Sequence, residues 1–85
     1  MKEERIEVVT YAGYKGEERP MSLIIRGKRI EVINMLESLV VEDIVSRTRK
    51  RSFLVKGSDG VHYRVYYYED RGEWSGKALY DVKSG

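Results

Sequence analysis

The chain contains no cysteine, and that absence removes a disulfide framework, a thiolate nucleophile and any cysteine-based zinc site. Small secreted domains depend on such cross-links, so their lack points to the cytoplasm. Histidine occurs once, at His62, which leaves carboxylates and a single imidazole as poor ligands for a transition metal. Proline, phenylalanine and tryptophan also occur once each, at Pro20, Phe53 and Trp74. No apolar run approaches the ~18 residues of a membrane span. The amino-terminal MKEERIEVV is interrupted by Glu3 and Glu4, so it reads as neither a signal peptide nor an anchor. There is no GxGxxG and no phosphate loop, and Gly13 with Gly16 lacks the helix that would make it an anion cradle. These absences predict a cytoplasmic protein with no cofactor, no metal and no membrane partner.

What is present is enough for one domain of 85 residues, 41% hydrophobic and 35% charged. A chain of this length buries roughly 60–65% of its unfolded surface, so the core is modest and the surface heavily charged. The net charge of +2 is too small to imply a polyanionic partner by itself. Its distribution is more informative. Arg47, Arg49, Lys50, Arg51 and Lys56 follow one another with no acid between, bounded by Glu42 and Asp43 before and by Glu69, Asp70 and Glu73 after.

Glycines divide the chain into apolar runs of strand length, the pattern of an all-β domain. In the run from Arg5 to Tyr14, Ile6, Val8, Thr10, Ala12 and Tyr14 share one face. Residues 15–20 read as a charged loop, with Pro20 as the first residue of the next strand. Met21–Arg26 and Arg29–Leu36 flank Gly27-Lys28, a two-residue hairpin with Gly27 in a type II′ position. Ile30, Val32, Asn34 and Leu36 would then share a face. Residues 37–46 read as a continued strand and a loop, because Val40, Val41, Ile44 and Val45 crowd a helix at χ1. Helical spacing at Ile30, Ile33, Leu36, Leu39 and Val40 keeps an α+β alternative, with one helix around residues 30–46. Arg51–Lys56 and Val61–Tyr68 flank the turn Gly57-Ser58-Asp59-Gly60, and Lys77–Val82 would be a final edge strand. The expected fold is a single domain, residues 1–85, of five to six antiparallel strands in a curled sheet or partly open barrel.

The order TYAGYKGEERP, GKRIEV, an FLV strand, GSDG, a tyrosine-rich strand and GEW resembles a family of small β-rich bacterial and archaeal domains of unknown function. Similar domains are attached to the carboxyl end of some proteins resembling translesion DNA polymerases. The resemblance covers Tyr11 to about Trp74 and brings no catalytic residues. It implies a β-rich fold and a lean toward nucleic-acid processing.

The chemistry-bearing stretch is VHYRVYYYED. Alternation sets Val61, Tyr63, Val65 and Tyr67 on one face, as core, and His62, Arg64, Tyr66 and Tyr68 on the other. Rings interleaved with arginine are how sheets stack bases and meet phosphate, and Tyr and Arg are also enriched in protein interfaces. Arg47, Arg49, Lys50 and Arg51 would add an electrostatic footing, with Arg51 and Lys56 as the nearest neighbours of the aromatic face. Ser52 or Ser58 with His62 and Asp59 can be written as a triad, but serine and aspartate in a tight turn serve their own backbone. The acid pairs Glu17-Glu18, Glu42-Asp43 and Glu69-Asp70 fit no calcium-loop or glycosidase pattern. The sequence therefore predicts a non-enzymatic binding module whose partner is a nucleic acid or a protein, including a second copy of itself.

Overall fold

A computed structural model describes residues 3–14 and 17–79. Its strands are β1 (Glu4–Tyr14), β2 (Glu17–Ile25), β3 (Lys28–Asp43), β4 (Thr48–Gly57), β5 (His62–Tyr68) and β6 (Glu73–Leu79). Each pairs antiparallel with its chain neighbours, and β1 with β6, giving a closed six-stranded barrel. The all-β expectation holds. The helical alternative for residues 30–46 does not, because β3 runs as one strand through that stretch.

The interior is filled by Ile6, Leu23, Ile30, Phe53, Val55, Tyr63 and Val65. The barrel is evenly built on one side and barely closed on the other. β4 pairs with β5 from Lys50 to Lys56, and β5 with β6 throughout. By contrast, β1 meets β6 only at Glu4, Arg5 and Ile6, and β2 meets β3 only between Ser22 and Ile25. Past Glu31, no β3 residue pairs with β2 among the described residues. The strand instead continues as an edge strand beside β4 to Asp43. β5 still flanks β4 as far as Lys50, opposite Val41, so only the tip from Glu42 to Arg49 is two-stranded; this edge and its tip form an arm.

Four sequence readings need correction. The β2–β3 turn is Arg26-Gly27, not Gly27-Lys28: Ile25 pairs with Lys28, and φ is 53° at Arg26 and 80° at Gly27. Two positive φ values define a type I′ turn, whose twist matches the flanking strands. β2 begins at Glu17 rather than at Pro20, and Pro20 sits beside an irregularity in the β1–β2 register, where a missing N–H is tolerated. Register shifts at Val32/Asn34 and Met35/Glu37 break the alternation of β3. Ile30 and Met35 consequently both serve the core while Leu36 is exposed. Finally, β6 starts at Glu73 and closes the barrel against β1 instead of forming a free edge; residues 80–82 of the expected strand lie outside the described residues.

The closed end is stitched by the β4–β5 loop. Ser58 N–H donates to the Glu31 carbonyl at 2.8 Å, and Glu31 N–H donates to Ser58 Oγ at 3.3 Å. From inside the barrel, Tyr63 OH donates to Asp59 Oδ2 at 2.6 Å, while Asp59 Oδ1 accepts from Val61 N–H. Gly57 is buried between Ile30 and Asp59, and a Cβ there would lie 2.7 Å from each. Ser58 and Asp59, the serine and acid of the paper triad, are thus engaged in building the loop.

Candidate interaction surfaces: the aromatic face and the arm

Alternation along β5 sets Tyr63 and Val65 inside and turns His62, Arg64, Tyr66 and Tyr68 outward, where all four are half-buried. The β4–β5 register places Ser52 opposite Tyr66, Lys50 opposite Tyr68 and Leu54 opposite Arg64. Lys50 Nζ lies 4.4 Å from the Tyr66 ring centroid and 5.4 Å from that of Tyr68, and the Arg71 guanidinium lies 4.5 Å from the Tyr68 ring. The two rings are 6.2 Å apart and tilted. Lys50, Tyr66, Tyr68 and Arg71 therefore form one aromatic and cationic cluster on the outer wall.

Its neighbours are already committed within the chain. Arg64 Nη1 donates to Glu37 Oε1 at 2.9 Å and to Ser52 Oγ at 3.2 Å. Tyr68 OH donates to Glu3 Oε2 at 2.5 Å, and the Ser75 hydroxyl donates to the same oxygen. Burial raises the Tyr68 phenol above its ordinary value, and the Glu3 hydrogen bond adds to that. For Glu3, partial burial works upward but is outweighed by the Ser75 and Tyr68 hydroxyls and by the charges of Lys50 and Lys77. Its carboxyl is held below the usual range. Three buried serines of the outer wall are each roofed by charge: Ser22 by Glu31 and Arg29, Ser52 by Arg64, and Ser75 by Glu3. These caps satisfy hydroxyls that the sheet would otherwise bury unpaired.

The basic block does not act as one ridge. Strand alternation separates Lys50 from its neighbours, so Arg51 lies opposite Tyr67 on the other face, not beside the aromatic face as expected. Arg51 Nε donates to Glu69 at 3.1 Å, and Arg49 pairs with Glu42 at 3.4 Å. Arg47 is exposed at the arm's turn with φ 61°. Lys56 does neighbour the face, opposite His62. Sequence reading missed Glu3, just before β1, and Glu37 on β3, which reach the face from elsewhere in the chain. It also missed the cation over the rings, although the register through the GSDG turn is enough to set Lys50 opposite Tyr68. Phe53 and Trp74 belong to the packing, with ring centroids 5.9 Å apart and Tyr67 stacked 4.7 Å from Trp74.

No family model, curated protein or solved structure matches this chain.

The arm is the other exposed feature. Leu39, Val40 and Val41 on β3 are about half exposed, and Ile44 and Val45 at the turn are 85% and 93% exposed. Leu39 and Val41 continue the outer face, in the rows of Tyr66 and Tyr68, while Val40 lies on the opposite side. The turn is built rather than loose. Asp43 Oδ1 accepts from Val45 N–H at 3.1 Å and Ser46 N–H at 3.4 Å, and Arg47 N–H donates to the Asp43 carbonyl at 2.7 Å. The Ser46 hydroxyl first, then the Ser46 and Val45 N–H groups, hold the Asp43 carboxyl below its ordinary value. At the arm's root the wall opens between β2 and β3 into a cavity of about 400 Å³, lined in part by Arg19, Met35, Leu36 and Phe53. No group of three or more histidine or acidic side chains is arranged to hold a metal among the described residues, and no helix there is long and apolar enough to cross a membrane.

Proposed function

We propose that the chain is a non-enzymatic binding module that engages a protein partner through the β3–β4 arm. One observation carries this reading: the most exposed apolar side chains, Ile44 and Val45, sit on a hydrogen-bonded turn next to Leu39, Val40 and Val41 on an open sheet edge. A monomer seldom exposes a contiguous apolar patch beyond ~300–600 Å², and larger ones mark interaction sites. A preorganised turn lowers the ordering cost of docking. The resemblance to domains appended to polymerase-like proteins fits a module that docks onto something larger. The test is comparative affinity capture with the wild-type chain and a Leu39→Lys, Val41→Lys variant as baits, with recovered proteins quantified by mass spectrometry. The reading expects a partner retained at high salt by the wild type and lost by the variant. Identical recovery from both would sink it.

A second reading keeps the outer wall as a nucleic-acid surface, favoured by Lys50 against the Tyr66 and Tyr68 rings. Base stacking there is supported by the half-buried rings, and is opposed by the Glu37 and Glu3 carboxylates that already occupy Arg64 and Tyr68. Fluorescence anisotropy with labelled single-stranded oligonucleotides tests it. Binding that falls with salt and with Tyr66→Ala, Tyr68→Ala supports it; no binding at low salt removes it.

A further inference from the structure

We infer that the occupant of the arm is a second copy of this chain, paired antiparallel through the free edge of β3 about a two-fold axis at Leu39. The inference rests on the protein-docking reading above and names its partner.

The first argument is the edge itself. β4 covers one side of β3 from Asn34 to Asp43, while the other side has no strand partner among the described residues. An open edge is a template for another strand, and proteins usually guard it with charged side chains, above all lysine, with proline or with extra twist. Here the charges, Glu37, Glu42 and Asp43, lie only at the two ends of the stretch. The two register irregularities guard this edge up to Met35/Glu37. From Glu37 to Asp43 the pairing with β4 is regular, and the edge strand reads ESLVVED, with no lysine and no proline.

The second argument is coverage. Apolar side chains lie on both faces of the arm, with Leu39 and Val41 on one and Val40 on the other. A partner lying flat on either face would leave the other in water, and a lipid surface would reach only Ile44 and Val45 at the turn. A strand added at the edge continues both faces at once and gives each apolar side chain a cross-strand neighbour. Ile33, Leu36 and the five arm residues are 40–93% exposed, an apolar strip that a second copy laid along the edge covers in part.

The third argument is charge. Acids sit at Glu37, Glu42 and Asp43, and a two-fold pairing must keep them apart. An axis at Leu39 sets Glu37 of each copy opposite Val41 of the other, and Glu42 opposite Leu36. Moving the axis by one residue to Val40 would set Glu37 against Asp43. An axis between Leu39 and Val40 is excluded by the pleat, because it would oppose residues whose side chains lie on different faces. An isologous two-fold is also the commonest way for a chain to associate with itself.

Sedimentation equilibrium of the full chain, from micromolar to near-millimolar concentration, tests the state. The wild type should form a dimer, and Leu39→Lys with Val41→Lys should weaken it by at least tenfold while near-ultraviolet circular dichroism of Trp74 and the tyrosines stays unchanged. The absence of native cysteine permits a second measurement. Directly opposed residues in an antiparallel pair lie ~4.5–5.5 Å apart at Cα, within disulfide reach. Leu39→Cys should therefore oxidise to a covalent dimer, whereas Val45→Cys, several residues from its own equivalent across the axis, should not. A wild-type monomer at the highest concentration overturns the inference, as does a dimer indifferent to the lysine variants or one cross-linked faster through Val45→Cys. If the monomer sediments with anionic vesicles and loses that binding on Ile44→Ser with Val45→Ser, a membrane takes the place of the second copy. A monomer whose arm still captures a different protein would fail this inference and leave the docking reading standing.

Discussion

The β3–β4 hairpin places the same kind of side chain in two opposite environments within one ladder. In its lower half, Val55 is wholly buried against Tyr63 and Ile30 belongs to the core. In its upper half, Val40 is half exposed, and Val45 lies almost entirely in water. Hydrophobicity is alike in both halves, so it does not decide burial. What differs is the number of strands alongside. The lower half is flanked by β2 and β5; Leu39–Val41 keep neighbours on the β4–β5 side only, and the tip beyond Val41 and Lys50 has only itself. A two-stranded ribbon cannot cover its own faces, which is why isolated hairpins are marginal in water. The arm is stable because it extends a ladder that the barrel has already fixed.

This contrast sets the largest expected effect. Phe53→Ala, in the buried half, removes a ring packed against Trp74 and should cost ~3–5 kcal/mol, measured by urea denaturation. If the loss were below ~1 kcal/mol, the barrel would be collapsing around the cavity at the root of the arm, and the two halves would differ less than their burial implies.

Acid should act on the barrel as well as on the arm's turn, which Asp43 holds. Glu3 and Asp59 tie the amino-terminal strand and the β4–β5 loop to the wall, and both are held below their ordinary values. Burial opposes this in each case; the hydroxyls of Ser75 and Tyr68 outweigh it for Glu3, and Tyr63 OH with Val61 N–H outweigh it for Asp59. Carboxylates lowered by folding add stability that is complete above the ordinary carboxylate range and is lost as pH falls through their folded values. The melting temperature should therefore be flat near neutrality and drop below about pH 4, where unperturbed carboxylates protonate. Glu3→Gln should lower the neutral-pH plateau and flatten the drop. An unchanged pH profile in that variant would mean that Glu3 does not fasten Tyr68 and Ser75 in solution.

How much of this was legible follows the same division. Simple alternation located the inward Tyr63 and Val65 and the outward Arg64, Tyr66 and Tyr68, because β5 pairs without irregularity on both sides. It failed on β3 between Val32 and Glu37, where one register shift reverses the parity, the next restores it, and neither leaves a mark in the sequence. It failed again on the basic block, read as one ridge although neighbouring residues of a strand point to opposite faces. Glu3 and Glu37 were invisible as partners because their positions depend on barrel closure and on those same shifts. The exposure of the arm was illegible for a simpler reason: a run such as LVVEDIV states that it needs cover and not that the chain supplies none.

The β2–β3 turn gives a smaller effect at the closed end. Arg26 holds a left-handed conformation that suits asparagine far better, and its ion pair with Glu4 is exposed and worth little. Arg26→Asn should stabilise the chain by ~0.5–1 kcal/mol. A loss of similar size would mean that the pair with Glu4 helps hold the narrow β1–β6 seam.

The smallest effect should come from the most hydrophobic exposed residues. Ile44→Ser with Val45→Ser changes two side chains already in water, whose turn is held by Asp43 through backbone groups that the substitutions retain. In dilute solution the change in unfolding free energy should stay within about 0.5 kcal/mol, as for ordinary surface positions. Concentration then separates a free arm from an occupied one. Association stabilises the folded state by mass action, so the wild-type melting temperature should rise with protein concentration if the arm is covered by a second copy. With the axis at Leu39, Val45 of one copy meets Ile33 of the other at the margin of the paired edge. The serine variant should therefore keep a reduced part of that rise, whereas Leu39→Lys with Val41→Lys should abolish it. Equal slopes in all three proteins would show that nothing in the arm is buried on association.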